Sequence, residues 1–514
     1  MIRVSKMSRT ATSDIVLTHE DGNATPHVHI AIIGTGFSGL GMAIRLKQRG
    51  DDDFVLLEKA ADVGGTWRDN TYPGCACDVP SHLYSFSFAL NPQWSRAFSP
   101  QSEIQAYLRH CAEHYGITPH IRFDTESRGA EWDEVDGRWR ITTSRGNLTA
   151  DILILGQGPL SDPAMPQIAG IETFAGTIFH SAQWDHSHDL SGKRVVVIGT
   201  GASSIQFVPH IQPQVAQLTL FQRTPAWIVP RLDHPVAKWR RSLYRTLPVT
   251  QRAVRSAIYW QREIGVLGLV YRPTILKSFR KMAEDHLAAQ ISDPLLRAKL
   301  TPKYEIGCKR VLLSDDFYPA VSQPNVAVVT EHIREIREHS IVTADGTEHP
   351  VDTIILATGF HVTDMPLAHT VHGRSGTTLA ETWSDGMQAY KGATISGFPN
   401  LFMLIGPNTG LGHTSMIYMI ESQITYVLDC LRKMRRQRVA SIDVRPEAQQ
   451  AFNDEVQRRM GATVWVSGGC ASWYLDARGR NSTLWPGFTF DFRRRTHRFD
   501  ATHYQLTKQG VAVR

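Results

Sequence analysis

Two stretches of the chain carry the same punctuation, and together they limit what it can fold into. AIIGTGFSG (Ala31–Gly39) and VVVIGTGASS (Val195–Ser204) each run from an apolar, β-branched segment into a G-x-G-x-x-[GAS] spacing: Gly34, Gly36, Gly39, then Gly199, Gly201, Ser204. A strand that ends in such a turn and opens a helix brings backbone N–H groups close to a pyrophosphate at the helix N-terminus. One copy is weak evidence. Two copies predict an α/β protein with two Rossmann-like dinucleotide-binding units. The predicted contacts are Gly34, Gly36, Phe37, Ser38 and Gly39 in the first unit and Gly199, Gly201, Ala202, Ser203 and Ser204 in the second.

The flanking residues extend both patterns. His27–Ile33 reads as a strand, Ser38–Arg49 as a helix, and Phe54–Leu57 as a second strand ending in Glu58, nineteen residues past Gly39. An acid there is placed to accept hydrogen bonds from ribose hydroxyls, and its neighbour Lys59 is grouped with it. In the second unit the matching strand, Leu218–Phe221, ends in Gln222-Arg223-Thr224. A carboxylate at that point would repel a 2′-phosphate, whereas Arg223 and Thr224 can bond to one, so NADPH is expected rather than NADH. The order of elements also repeats. A glycine turn, a hairpin signal and a buried strand running into glycines occur as Asp136-Gly137 with Asp151–Leu155, then as Asp345-Gly346 with Asp352–Leu356. A type I′ turn is expected at Asp136-Gly137, a helix over Ser102–Tyr115 capped by Ser102, and a helix beginning near Thr414.

The expected organisation is a flexible tail over 1–25, a first dinucleotide domain over 26–165, and a Pro/Gly-rich crossover over 162–175. The second dinucleotide domain, 175–356, carries a helical insertion at about 230–300. Residues 357–514 return to the first domain and end in a C-terminal loop region.

A charged content of 20% and a net charge of +6 are ordinary, and argue against a nucleic-acid binder or a membrane-surface protein. No apolar run approaches the ~20 residues of a transmembrane helix, and the polar N-terminus lacks the apolar core of a secretory signal. A cytoplasmic enzyme is expected. Cys75, Cys77, Cys111, Cys308, Cys430 and Cys470 are irregularly spaced and complete no zinc pattern, so no metal is expected and the thiols are read as reduced.

Two further stretches are plain by composition. Phe174-x-Gly176-x-x-x-His180-x-x-x-Trp184-Asp185 reads as a linker with a turn glycine and packed aromatics. GGTWRDNTYPGCACD (Gly64–Asp78) reads as a Gly/Pro-punctuated loop. They nevertheless reproduce F-x-G-x-x-x-H-x-x-x-W-[PD] and [AG]-G-x-W-x-x-x-x-[FY]-P-[GM]-x-x-x-D. From about Val28 to Trp485 the chain resembles the type I Baeyer–Villiger monooxygenases. That resemblance implies FAD on the first unit, wrapped by Gly65, Thr66, Trp67 and Tyr72, and NADPH on the second. It implies O2 uptake as a C4a-peroxyflavin and insertion of one oxygen next to a ketone carbonyl, giving an ester or lactone. Arg310 matches the catalytic arginine, Asp78 lies beside it near the flavin's reactive edge, Lys309 helps to hold the 2′-phosphate, and Trp473 bonds the nicotinamide ribose. His180 is expected to couple domain movement to turnover. The sequence after Trp473 differs from that of the well-described cyclic- and aryl-ketone members, so linear, cyclic and aryl ketones all stay open. N- or S-oxygenating flavin monooxygenases, an NADPH oxidase and a non-catalytic dinucleotide sensor stand as alternatives.

Overall fold

The structure, a computed structural model, describes residues 25–476 and 478–508. Nearly all of the expected N-terminal tail therefore lies outside the described residues. Two parallel sheets organise the rest. In the first, His27–Ile33 lies between Phe54–Leu57 and Gly146–Leu155 and is parallel to both, in register Ile30↔Phe54 and Ile30↔Ile152. Ile30, Ala31, Ile32 and Ile33 are all buried, as expected of a central parallel strand covered on both faces. Ile30 and Ile32 pack towards the helices Phe37–Lys47 and Met416–Gln437, and Ala31 and Ile33 towards the opposite core. Leu401–Met403 adds to Gly146–Leu155 in parallel, so the C-terminal third of the chain does rejoin the first sheet.

The second sheet runs Val326–Val329, Gln217–Phe221, Arg194–Ile198, Thr353–Leu356, Thr177–His180, every neighbour parallel. Its edge strand corrects the reading of residues 174–185 as a linker. Thr177–His180 is hydrogen-bonded along Thr353–Leu356, with His180 opposite Leu356. The stretch TIFH is too short, and too close to a turn glycine, to show strand periodicity.

Other boundaries shift for local reasons. The hairpin at Asp136-Gly137 forms, but its strands close at Asp133↔Arg138 with four residues between. Asp133 Oδ1 accepts from the backbone N–H groups of Val135 and Asp136, at 2.8 and 3.0 Å. That local turn replaces the type I′ geometry, and within it only Gly137 has a positive φ. The helix predicted over Ser102–Tyr115 spans Gln101–His114 and follows Pro100 with no side-chain cap. The helix expected near Thr414 is Met416–Gln437, capped by Ser415. Between 230 and 300 the chain forms Lys238–Thr246, Pro248–Glu263, a π-turn over Leu267–Tyr271, Leu276–Gln290 and Pro294–Leu300. A two-residue parallel bridge, Ile228↔Leu312, clasps the two ends of this segment together. Among the described residues no helix is long and apolar enough to cross a membrane, and no His/Cys/Asp/Glu cluster suits a metal ion.

Candidate active site

The first glycine turn is built by exclusion of side chains. Gly34 sits at φ +94°, and a Cβ on Gly39 would lie 1.9 Å from the Gly34 carbonyl oxygen, so the helix can approach the strand only with glycine there. Gly36 precedes the helix Phe37–Lys47 with no side-chain cap, leaving its first N–H groups to an external acceptor. Gly65, at φ +53°, comes so close that its Cβ would lie 3.2 Å from Gly36 Cα. Two side-chain-free backbones thus form a cradle that fits a diphosphate.

Glu58 behaves differently from expectation. Its buried carboxylate accepts from Thr35 N (3.1 Å) and Thr35 Oγ1 (2.6 Å) through Oε2, and from Ala60 N (3.1 Å) and Arg68 (2.7 Å) through Oε1. All four acceptor directions are engaged by protein, so in this arrangement Glu58 braces the glycine turn. Lys59 beside it is exposed.

The Gly64–Asp78 loop bridges the two sheets. Trp67 Nε1 donates to the Tyr84 hydroxyl at 2.9 Å, and Thr66 Oγ1 reaches the Leu160 carbonyl. Gln206, on the second unit's helix Ala202–Ile211, accepts from the Tyr72 hydroxyl and the Ala76 N–H and donates to the Ala76 carbonyl. Gly74 fits against the same helix because any Cβ would strike the His210 ring at 2.4 Å.

At the end of this loop Asp78 meets Arg310, 232 residues away. Nε–Oδ2 is 2.6 Å and Nη2–Oδ1 2.7 Å, a two-pronged ion pair. The side chains keep 26% and 31% of their surface open, so the pair is shielded without being sealed. Burial pushes the Asp78 carboxyl up, but the Arg310 charge and its hydrogen bonds prevail and hold it below the usual carboxylate range. Asp78 in turn raises Arg310 far above its ordinary value. Arg310 therefore stays charged at every working pH and cannot act as a proton donor.

Two neighbours went unnoticed in the sequence. Burial draws the Arg262 guanidinium down against the pull of nearby Asp78. Its signal was its place seven residues after Arg255, on the same helix face, because Arg255 binds the His82 and Leu83 carbonyls just beyond Asp78. The buried Tyr474 hydroxyl has no partner among the described residues, and burial pushes it up to about 12. Several other buried polar atoms, including Asn408 Oδ1, His413 Nδ1 and Thr414 Oγ1, also lack partners. They sit on the turn that follows Leu401–Met403, where a polar ligand would satisfy them.

The thiols expected to be reduced are corrected at one place. Cys308 and Cys470 form a disulfide, while Cys75, Cys77, Cys111 and Cys430 are free and buried. The fold brings two residues 162 apart to a Cα–Cα distance of 6.1 Å, a proximity that spacing alone could not reveal. The bond ties the segment carrying Lys309 and Arg310 to the one carrying Trp473, which is exposed and packs on Tyr474 at 4.4 Å.

The second glycine turn repeats the first with one change. Gly199, at φ +112°, would place a Cβ 2.4 Å from the Ala357 carbonyl. Ser204 occupies the third position and donates to the Gly199 carbonyl at 2.7 Å, which is why serine serves there. Gly201 and Ala202 are open to solvent, Ser203 is half-buried, and the helix they begin is uncapped. Arg223 is exposed past the end of its strand, beside Thr224, whose carbonyl accepts from Thr200. Lys309 lies over the Tyr304 ring at 5.2 Å; burial and then Arg223 lower its pKa. Neither cation has a carboxylate within ion-pair distance among the described residues, and the pair suits a phosphate dianion.

The 174–185 stretch locks onto both units. A Cβ on Gly176 would lie 2.4 Å from the Asp352 carbonyl and 2.6 Å from the Phe174 ring. His180 is buried; Nδ1 accepts from Ala182 N at 3.1 Å, and Nε2 faces the Gly359 backbone without a well-formed hydrogen bond. Burial lowers its pKa against that backbone, so it stays neutral. Trp184 packs between Phe179 and Phe207, each at 5.2 Å, and Phe207 packs on Tyr72. Asp185 caps its own turn at Ser187, and the adjacent His186 bonds Thr71 at 2.8 Å.

Two parallel sheets ending in glycine turns, joined by a loop that delivers one Asp–Arg pair, define an oxidoreductase of the two-dinucleotide class. A family model described as flavin-binding monooxygenase-like matches residues 27–247. A Baeyer–Villiger monooxygenase of Streptomyces coelicolor is 55% identical, over 95% of this chain and 94% of that one. A second, from Pseudomonas aeruginosa, is 52% identical, over 95% and 93%. Among solved structures, an oxidized steroid monooxygenase bound to NADP aligns with a TM-score of 0.83 at 30% identity, and closed cyclohexanone monooxygenase with 0.84 at 26%. Each alignment covers 94% of this chain and 100% of the other. The chain belongs to the type I Baeyer–Villiger monooxygenases.

Proposed function

We propose that this chain inserts one oxygen atom of O2 next to the carbonyl of a ketone, using FAD and NADPH, and that the Asp78–Arg310 pair is the centre of that chemistry. The reading rests on one observation, the two-pronged pair held between a loop of the first unit and a segment of the second. When bound, FAD reduced by NADPH supplies the oxygen-activating chemistry. The protein's task is electrostatic. Arg310 presents a fixed positive charge, with Nη1 left over by Asp78, to the negative charge that develops on oxygen during insertion. Because it holds its protons so firmly, it stabilises that charge without quenching it. Asp78 sets the guanidinium plane and makes no other polar contact through its carboxylate oxygens.

The remaining residues bind and orient. Gly34, Gly36, Phe37, Ser38 and Gly39 take the FAD diphosphate against Gly65, Thr66, Trp67 and Tyr72 line the flavin, and Glu58 with Lys59 borders the ribose. Gly199, Gly201, Ala202, Ser203 and Ser204 take the NADPH diphosphate. Arg223, Thr224 and Lys309 receive its 2′-phosphate, and Trp473 meets the nicotinamide ribose. The corresponding domains are 26–165 with 357–514 for FAD and 175–356 for NADPH. Phe174, Gly176, His180, Trp184 and Asp185 form the joint between them. Dependence on NADPH places the reaction in the cytoplasm.

The test is aerobic NADPH turnover by the FAD-loaded protein with linear, cyclic and aryl ketones and thioanisole, with products read by mass spectrometry. A ketone-dependent product heavier by one oxygen and hydrolysable as an ester is expected. Sulfoxide alone, or hydrogen peroxide with no organic product, would refute the assignment.

A further inference from the structure

The helical segment between 230 and 300 presents an apolar stripe that nothing in the chain covers. Trp260, Ile264, Leu267 and Tyr271 are 54%, 64%, 40% and 50% exposed. Their spacing of four, three and four puts them on one side of the continuous run formed by Pro248–Glu263 and the π-turn Leu267–Tyr271. The opposite side is already used: Val266, Leu269 and Val270 are buried in a core with Trp465 and Tyr474. The exposed side is therefore a second apolar face and not a displaced core face. The C-terminal helix extends it. Exposed Phe490 packs near Trp260 at 6.0 Å and stacks on Phe488, which stacks on Tyr271.

The charge around this stripe has one sign. Residues 231–300 contain fourteen Lys and Arg against five Asp and Glu, although the whole chain carries a net charge of only +6. Arg240, Arg245, Arg252, Arg272, Lys277 and Arg493 are exposed, and none has a carboxylate within ion-pair distance among the described residues. Exposed apolar residues rimmed by unpaired cations match a bilayer surface that offers hydrocarbon beneath anionic headgroups. A second copy of the chain fits poorly, because a two-fold interface would set this excess of positive charge against itself.

We propose that this face docks the enzyme on the surface of a membrane containing anionic lipid, with the Trp260–Tyr271 stripe at the headgroup–acyl boundary and the arginines among the headgroups. Docking of this kind requires no spanning helix, and it is independent of the reaction assigned above.

The test is co-sedimentation of the FAD-loaded protein with phosphatidylcholine vesicles, with and without about 30 mol% phosphatidylglycerol, at about 150 mM salt. Wild type is expected to pellet with the anionic vesicles only. Ile264→Ser with Trp260→Ser should abolish pelleting. Arg252→Glu with Arg272→Glu should weaken it at least about tenfold, since each surface cation contributes roughly fivefold. Retained flavin colour and melting temperature show that these surface variants are folded. Pelleting with neither vesicle type, or equally with both, overturns the proposal. So does a dimer in solution that Ile264→Ser dissociates while wild type ignores vesicles, an outcome that would make a second copy the occupant.

Discussion

Asp78→Asn asks most directly whether the ion pair acts as a unit. The substitution keeps the side-chain shape and removes one charge. Of the two bonds at 2.6 and 2.7 Å, an amide can keep one, through its oxygen, and it turns an N–H donor towards the other guanidinium N–H. Breaking one side of a fully buried pair costs about 3–5 kcal/mol. With about a quarter to a third of each side chain open, about 2 kcal/mol of stability is a fitting expectation. The catalytic consequence should be larger, because Arg310 would no longer be held in place, and a misplaced electrostatic donor typically costs ~10²–10³ in kcat. The assay is ester formation at saturating NADPH for Asp78→Asn, Arg310→Ala and the double variant. If Asp78 works through Arg310, the double variant will be no slower than Arg310→Ala. Two results would refute the reasoning: ester formation by Asp78→Asn within about threefold of wild type, or losses that simply multiply in the double variant, as for independent sites.

Other perturbations probe the scaffold. Gly39→Ala should yield protein without bound flavin, because its Cβ would lie 1.9 Å from the Gly34 carbonyl oxygen, whereas Ser204→Ala removes one hydrogen bond and should cost about 1 kcal/mol; flavin absorbance and thermal denaturation distinguish them. Cys470→Ser opens a covalent loop of 162 residues and should lower stability by up to about 5 kcal/mol; an unchanged melting temperature would show that the bond contributes nothing. Burial, helped by Arg240 and Arg255, lowers the His82 pKa from 6.5 to about 4. The unfolded chain then binds the proton more readily, so this stabilisation is complete above pH 6.5 and is lost as pH falls towards 4, at up to about 1.4 kcal/mol per pH unit. His82→Gln should flatten the fall in melting temperature between about pH 7 and pH 5; an unaltered slope would refute it.

What could be read from the sequence follows the range of each interaction. The glycine turns were legible because their chemistry is local: Gly34, Gly36 and Gly39 are constrained by atoms within a few residues or on the adjoining strand. The central strands were legible because they are apolar on both faces. Glu58 was located correctly, but its partners were not visible, since Arg68 reaches it from a loop whose path depends on Gly64 and Gly65. The edge strand Thr177–His180 gains its structure from Thr353–Leu356, nearly 180 residues away, and carries too few residues to signal it alone. The Cys308–Cys470 bond and the roles of Arg262 and Tyr474 are also products of tertiary approach. Net charge misled for a related reason: +6 spread over the whole chain conceals the basic excess between 231 and 300.

These long-range contacts converge on one place. The Gly64–Asp78 loop is held at Tyr72 and Ala76 by Gln206, at Thr71 by His186, and at the Tyr72 ring by Phe207, on which Trp184 packs. Every one of these partners belongs to the second unit, and the loop ends in Asp78, which fixes Arg310. The position of the guanidinium therefore depends on how the two units sit together. His180 closes the chain of contacts, since its strand pairs with Thr353–Leu356 and its ring packs on Phe360 at 5.9 Å, where the chain leaves the second sheet. A change at Trp184 or His180 should thus reach the reaction through the orientation of Arg310, without either side chain touching substrate. That accounts physically for a stretch that looks like a linker yet tolerates so few residue types: Gly176 admits no Cβ, Trp184 fills the space between two aromatic rings, and His180 stays neutral in a buried site.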